Sequence, residues 1–193
     1  ADFAQLPIEM ARTKYTLGDD ARDWKVSLAQ GDLLKSGPTP SHIVSILYRP
    51  FDKRFTYYTG RTRGFQCMPR QEVMRHLVAR DNLALISARS NKSQTPDHCF
   101  CSRSIVETKC GESTTQSTTF PLYLYPTADK GNLFSADEAT DAPGGRRPNL
   151  NPAFISDIEG RLGLRFVPDG EGDGKETFGP EDVFHYIYAV LHS

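Results

Sequence analysis

Punctuation governs what this chain can become. Apolar and aromatic runs at 42–47, 54–59, 82–89, 98–102, 104–108 and 121–125 are all short, and Gly, Pro or polar clusters close them. Short runs rich in β-branched and aromatic residues read as strands. Helical spacing falls between them at irregular intervals. Residues 21–35 carry Trp24, Leu28 and Leu33 or Leu34 at helical spacing, interrupted by Gly31 and ended by the linker-like SGPTPS. Residues 69–79 put Val73, Leu77 and Val78 on one side, and 149–162 is a further helical segment. Over 180–192, Pro180 suits a first turn and Glu181 and Asp182 suit the positive dipole end. Val183, Ile187, Val190 and Leu191 then line one side of that helix. Strands with irregularly placed helices predict an α+β fold, a mixed, mostly antiparallel sheet with a few packed helices, and not a βαβ repeat.

Composition bounds the rest. At 193 residues the chain has the size of one domain with an appended segment, and 38% apolar with 24% charged residues describe an ordinary globular protein. No apolar run approaches the roughly 20 residues of a membrane helix. Residues 1–16 lack a charged leader followed by an apolar core, so no signal peptide is expected. Both ends read as cuts, with an N-terminal connecting arm at 1–38 and a domain at 39–193 truncated at its C-terminus. Cys67, Cys99, Cys101 and Cys110, with no secretory signal, are expected as reduced thiols in a cytoplasm.

The net charge of −1 hides a division. Residues 49–110 hold twelve Lys or Arg against five acids, a balance of +7, whereas 129–182 hold six against twelve, a balance of −6. Segregated charge fits an anionic partner where a uniform near-neutral chain would not. The stretch LYRPFDKRFTYYTGRTRGFQCMPRQEVMRHL (47–77) interleaves Arg49, Lys53, Arg54, Arg61, Arg63, Arg70 and Arg75 with Tyr48, Phe51, Phe55, Tyr57, Tyr58 and Phe65. Guanidinium forks beside flat aromatic surfaces suit a surface that grips phosphates and reads or stacks on bases. By strand alternation Phe51 and Phe55 are expected in the core, with the cations as the contact set. Within that set Arg61 and Arg63 flank a turn that ends in Gly. Arg70 and Arg75 lie about 140° apart on a helix, too far round it to share a base. The polar loop after 82–89 adds Arg89, Asn91, Lys92 and Gln94, with Arg matching guanine and Asn or Gln matching adenine. The hydroxyl-rich run 111–119 adds Ser113 and Thr114 as phosphate or base contacts.

The 47–77 stretch, together with FPLYLYP (120–126) and FGPEDVFHYIYAVLHS (178–193), resembles the C-terminal specificity region of type ISP restriction-modification enzymes, in one order from about Trp24 to the last residue. That resemblance implies a target-recognition domain that binds duplex DNA and performs no chemistry itself. It also implies a larger bacterial polypeptide carrying nuclease, translocase and adenine methyltransferase parts, which use S-adenosylmethionine, ATP and Mg²⁺. The methyltransferase domain of the same polypeptide is then an expected partner, and no membrane is. A structural module coupling that methyltransferase to its neighbours through the acidic half is the alternative.

Other motifs carry less. In Asp97-His98-Cys99-Phe100-Cys101 a strand would put both thiols on one face and His98 on the other, which does not favour zinc. Asn151-Pro152-Ala153-Phe154 echoes the Asn-Pro-Pro-aromatic signature of adenine methyltransferases, but no glycine-rich cofactor turn accompanies it. Asn151 is therefore expected to cap a helix beginning at Pro152. The segment 168–175, with GEGDGK, reads as a flexible acidic surface loop. No catalytic constellation, cofactor site or metal site is expected in the chain.

Overall fold

The computed structural model describes residues 2–21, 23–89, 98–112, 114–126 and 142–193. The chain divides into two compact units, one of Ala1–Ala79 with Ser104–Glu107 and one of Arg80–Arg103 with Thr108–Ser193. The first unit begins with helices α1 (Asp2–Gln5), α2 (Ile8–Tyr15) and α3 (Val26–Ser36). Strands β1 (Ile43–Arg49) and β2 (Asp52–Tyr57) and the short helix α4 (Gln71–Met74) follow. The second unit begins with β3 (Ala84–Ala88) and β4 (Phe100–Ser102), before the chain returns to the first for β5 (Ile105–Val106). The second unit then takes β6 (Ser117–Pro121), β7 (Tyr123–Leu124), β8 (Arg147–Pro148), α5 (Pro152–Leu162), β9 (Arg165–Phe166), β10 (Thr177–Phe178) and α6 (Pro180–Leu191). Small, mostly antiparallel sheets with six helices among the described residues make the fold α+β, as the spacing predicts.

In the first unit a buried amide holds the N-terminal helices. Gln30 of α3 donates to the carbonyls of Phe3 and Leu6, both at 2.8 Å. Ala4, Leu33 and Tyr57 form the apolar centre, with Phe3 and Phe65 packed against it. The sequence reading assigns no helix to 2–15, and that long-range amide bridge explains why local spacing does not reveal one. Helix α3 starts at Val26 and not near Ala21. The Asp20 carboxylate binds Arg12 at 2.5 Å and accepts the Val26 amide at 3.2 Å, which fixes the preceding segment as a loop. Trp24 therefore lies outside the helix, and its indole N–H donates to the Phe65 carbonyl at 3.0 Å.

Strands β1 and β2 form an antiparallel hairpin, and β5 adds to β1 in parallel. The hairpin register corrects one expectation. Phe51 is 95% and Phe55 79% exposed, so neither is core, while Tyr57 is buried. Phe51 sits in the two-residue turn between the strands with φ 61°. The pairing also shifts between Leu47 and Arg49, so simple alternation does not carry through the tip. The expected helix at 69–79 shrinks to α4: Arg70 takes left-handed backbone (φ 50°) ahead of its first residue, and beyond Met74 the chain tightens, the amides of His76 and Leu77 donating to the carbonyls of Val73 and Met74 three residues back.

In the second unit β3 is the central strand of an antiparallel β4-β3-β6 sheet. Ala84 and Ile86 are fully buried on one face of β3. The buried Asn82 imitates a strand partner. Its Nδ2 donates to the Tyr123 carbonyl at 2.8 Å, and its Oδ1 accepts the amides of Tyr123 and Leu83 at 3.0 and 2.9 Å. Leu122, Tyr123, Tyr125 and Phe184 form the core, flanked by Leu83 and Leu85. Asn151 caps α5 as expected, accepting the Ala153 amide at 2.9 Å with Pro152 in the first turn. The segment expected to be a flexible loop at 168–175 is instead a hydrogen-bonded turn. Asp173 Oδ1 accepts the amides of Lys175, Glu176 and Thr177, each at 2.9 Å, and Asp182 Oδ2 accepts those of Gly172 and Gly179. Helix α6 buries Val183 and Phe184 in its first turn, whereas Val190 and Leu191 of the expected apolar side are exposed.

Candidate nucleic-acid interface

The basic stretch folds into a hairpin followed by a built turn, both in the first unit. At the hairpin, Arg54 of β2 forms a forked pair with Asp52, Nη2 to Oδ2 at 2.8 Å and Nε to Oδ1 at 3.2 Å. Those hydrogen bonds hold the Arg54 guanidinium above its usual pKa range. Arg49 reaches Glu107 at 2.7 Å. Both guanidinium groups also stack on the Tyr48 ring, 4.1 Å (Arg49) and 3.9 Å (Arg54) from its centroid. Lys53 is exposed and shares a strand face with Phe55, since alternate residues point the same way.

The turn after β2 is organised from beneath by Asp32 of α3. The Asp32 side chain is 2% exposed; its Oδ2 accepts the Thr59 hydroxyl at 2.7 Å and the Phe65 amide at 2.9 Å. Its Oδ1 has no hydrogen-bond partner and lies 3.6 Å from Arg61 Nη1, a charge contact longer than a hydrogen bond. Gly64 lies against this carboxylate so closely that a Cβ there would collide with Asp32 Oδ2. Arg63 takes φ 55°, its amide donating to the Cys67 carbonyl at 2.8 Å. The result is a rigid turn that exposes Arg61 and Arg63. Farther along, Tyr58 donates to the Pro69 carbonyl at 3.0 Å, and burial pushes its hydroxyl up to about 12.

Arg70 and Arg75 flank α4 as its N-cap and C-cap and do not sit on two turns of one helix. The first unit thus gathers Lys53, Arg54, Arg61, Arg63, Arg70 and Arg75. Arg89 and Thr114 belong to the second. Arg89 is exposed directly after β3. The Thr114 hydroxyl and amide both donate to Glu112, each at 2.7 Å, so an acid lies within the hydroxyl-rich run. Asn91, Lys92, Gln94 and Ser113 lie outside the described residues. Sequence reasoning missed Asp32 as the organiser of the basic turn and the outward display of Phe51 and Phe55. Pro50 followed by Phe51 and Asp52 was the available signal for the second, because Pro favours the second position of a tight turn.

No curated protein matches the chain. The cryoEM structure of a DrdV–DNA complex matches with a TM-score of 0.56 at 19% identity, covering 99% of this chain and 16% of that one. At that identity the likeness is one of fold, and the matched region is a small share of the longer polypeptide. A Type ISP C-terminal specificity domain matches residues 1–193, and the chain belongs to that family.

Proposed function

We propose that the chain is the target-recognition domain of a restriction-modification enzyme and reads a short duplex DNA sequence. Membership of a specificity-domain family over residues 1–193 carries this reading. A fold shared with part of a protein solved on DNA supports it, as does the basic hairpin and turn of the first unit. Phosphate contacts from Lys53, Arg54, Arg61, Arg63, Arg70 and Arg75 would fix register. Arg89, Asn91, Lys92, Gln94, Ser113 and Thr114 would supply base or further phosphate contacts. In the cytoplasm of a bacterium the domain would position an adenine methyltransferase and a translocase-nuclease of the same polypeptide on the site. S-adenosylmethionine, ATP and Mg²⁺ would serve those parts and not this one.

The test is duplex binding across a salt series, followed by selection of the preferred site from random DNA. Neutralising on the order of five phosphates gives a slope of about −4 to −5 in log affinity against log salt. Absence of binding at ~50 mM salt would overturn the reading and favour a coupling module that docks the methyltransferase domain.

A further inference from the structure

The tip of the β1–β2 hairpin displays what most folds hide. Phe51 is 95% exposed and Phe55 79% exposed on a strand that also carries Lys53 and Arg54. Phe51 holds a left-handed backbone (φ 61°) at a turn position that ordinarily takes Gly or Asn. A bulky ring there is strained, and among the described residues neither burial nor a ring contact compensates it. Glycine would relieve the backbone, so the ring is not there for the turn.

The surroundings select one occupant. Around the tip, residues 49–54 supply Arg49, Lys53 and Arg54 against Asp52. Asp52 and Glu107 engage Arg54 and Arg49, while Lys53 is exposed beside them. An apolar tip flanked by cations complements a polymer with anionic edges and an apolar stacked interior. Apolar wedges that enter between base steps while cations hold the flanking phosphates meet that description. A protein surface would have to offer matched acids around an apolar socket.

We infer that Phe51, supported by Phe55, is a wedge that inserts between base pairs of duplex DNA while Lys53 and its neighbours hold the flanking phosphates. This inference rests on the DNA-recognition reading and adds a mode of engagement to it: unstacking, and not only hydrogen-bond readout.

The experiment compares the chain with its Phe51→Ala, Phe51→Gly and Phe51→Leu variants on two labelled probes. One is a short, fully paired random-sequence duplex; the other is the same duplex with two adjacent central mismatches, which are already partly unstacked. The unchanged chain should bind the mismatched probe about tenfold more tightly, since unstacking a paired step costs free energy that the mismatch has already spent. Phe51→Ala and Phe51→Gly should bind both probes nearly alike with an unaltered salt slope, and Phe51→Leu should keep part of the preference. Phe51→Gly should also melt no lower than the unchanged chain, because it relieves the backbone. If Phe51→Ala keeps the full preference, the wedge is overturned and DNA recognition stands. A chain that binds neither probe overturns both. Sedimentation showing that Phe51→Ala abolishes self-association, with the mismatch preference intact, makes the tip a protein contact and overturns the wedge.

Discussion

Arg146 and Asp169 meet in a forked ion pair, Nε to Oδ1 at 2.6 Å and Nη2 to Oδ2 at 3.2 Å, with Arg146 only 6% exposed. Arg146 also donates to the Asp81 carbonyl at 2.8 Å and stacks 3.9 Å from the Tyr123 ring centroid. Tyr125 donates to that same carbonyl at 2.7 Å. The hydrogen bonds from Arg146 to Asp169 raise the guanidinium pKa further above its already high range. One cation thereby ties β8 to the start of β3 and to the segment ahead of α6. Its task is to hold the second unit together.

Removing Asp169 takes away the carboxylate that the Arg146 guanidinium grips and leaves that of Asp81 at 3.9 Å. Asp169→Ala should destabilise the second unit by about 3 kcal/mol, as in other buried pairs broken from one side. Arg146→Met, which also removes the charge but keeps the stem, should cost less than Arg146→Ala. Urea unfolding followed by the fluorescence of the unit's tyrosines would measure both. An Asp169→Ala variant within ~0.5 kcal/mol of the unchanged chain would show the pair to be worth no more than a surface one.

A second prediction concerns the support under the basic turn. Asp32→Ala strips the Phe65 amide and the Thr59 hydroxyl of their shared acceptor and should cost about 3 kcal/mol, since hydrogen bonds to a buried charge are the strong ones. Gly64→Ala drives a methyl into the same carboxylate and should cost about 1–3 kcal/mol by overpacking. In the double variant the clash has lost its target, so the combined loss should fall clearly short of the sum. Strict additivity would mean that the two residues do not share one constraint.

These two sites show what could be read from the chain and what could not. Helix ends written in local chemistry were legible: Asn151-Pro152 begins α5, and Gly179-Pro180 begins α6. The alternation of short strands gave the α+β class. Features that depend on partners far along the chain were not legible. Asp32 lies 27 and 33 residues from the groups it binds, so its charge reads locally as one more helix-surface acid. Helix α1 depends on Gln30, and the short α4 on left-handed backbone at Arg70. Phe51 misleads because the Pro50-Phe51 turn and the shift beside Tyr48 break the alternation; Phe55 shares its strand face with the buried Tyr57, but the apolar centre reaches Tyr57 and not Phe55.

The acid limb of stability should report on the turn before β10. Three amides hold Asp173, those of Lys175, Glu176 and Thr177, and their hydrogen bonds depress its carboxyl below the ordinary value of 3.8. A carboxyl whose folded pKa is lowered binds its proton more weakly than in the unfolded chain. Its contribution is therefore complete above about pH 4 and is lost as pH falls toward the folded value. Asp173→Asn cannot ionise, so its stability should decline less steeply than the unchanged chain's below about pH 4. Melting temperatures in steps from neutral pH downward would show whether the two curves converge there. Parallel curves would remove Asp173 from the acid response.

The last prediction separates two arginines of one turn. Arg61 faces the buried Asp32 carboxylate at 3.6 Å, whereas Arg63, two residues on, is exposed on left-handed backbone. Arg61→Ala removes the charge facing Asp32 Oδ1, so it should lower the melting temperature as well as DNA affinity. Arg63→Ala should leave the melting temperature nearly unchanged while the salt slope falls by about one, the signature of one lost phosphate contact. Arg63→Gly should raise the melting temperature slightly by relieving φ 55° and should lose affinity to the same extent as Arg63→Ala. Binding titrations on random duplex across a salt series, paired with thermal melts of each variant, would measure both effects together. If Arg63→Ala keeps the full salt slope, Arg63 holds no phosphate; if Arg61→Ala melts with the unchanged chain, the carboxylate beneath it does not need that charge.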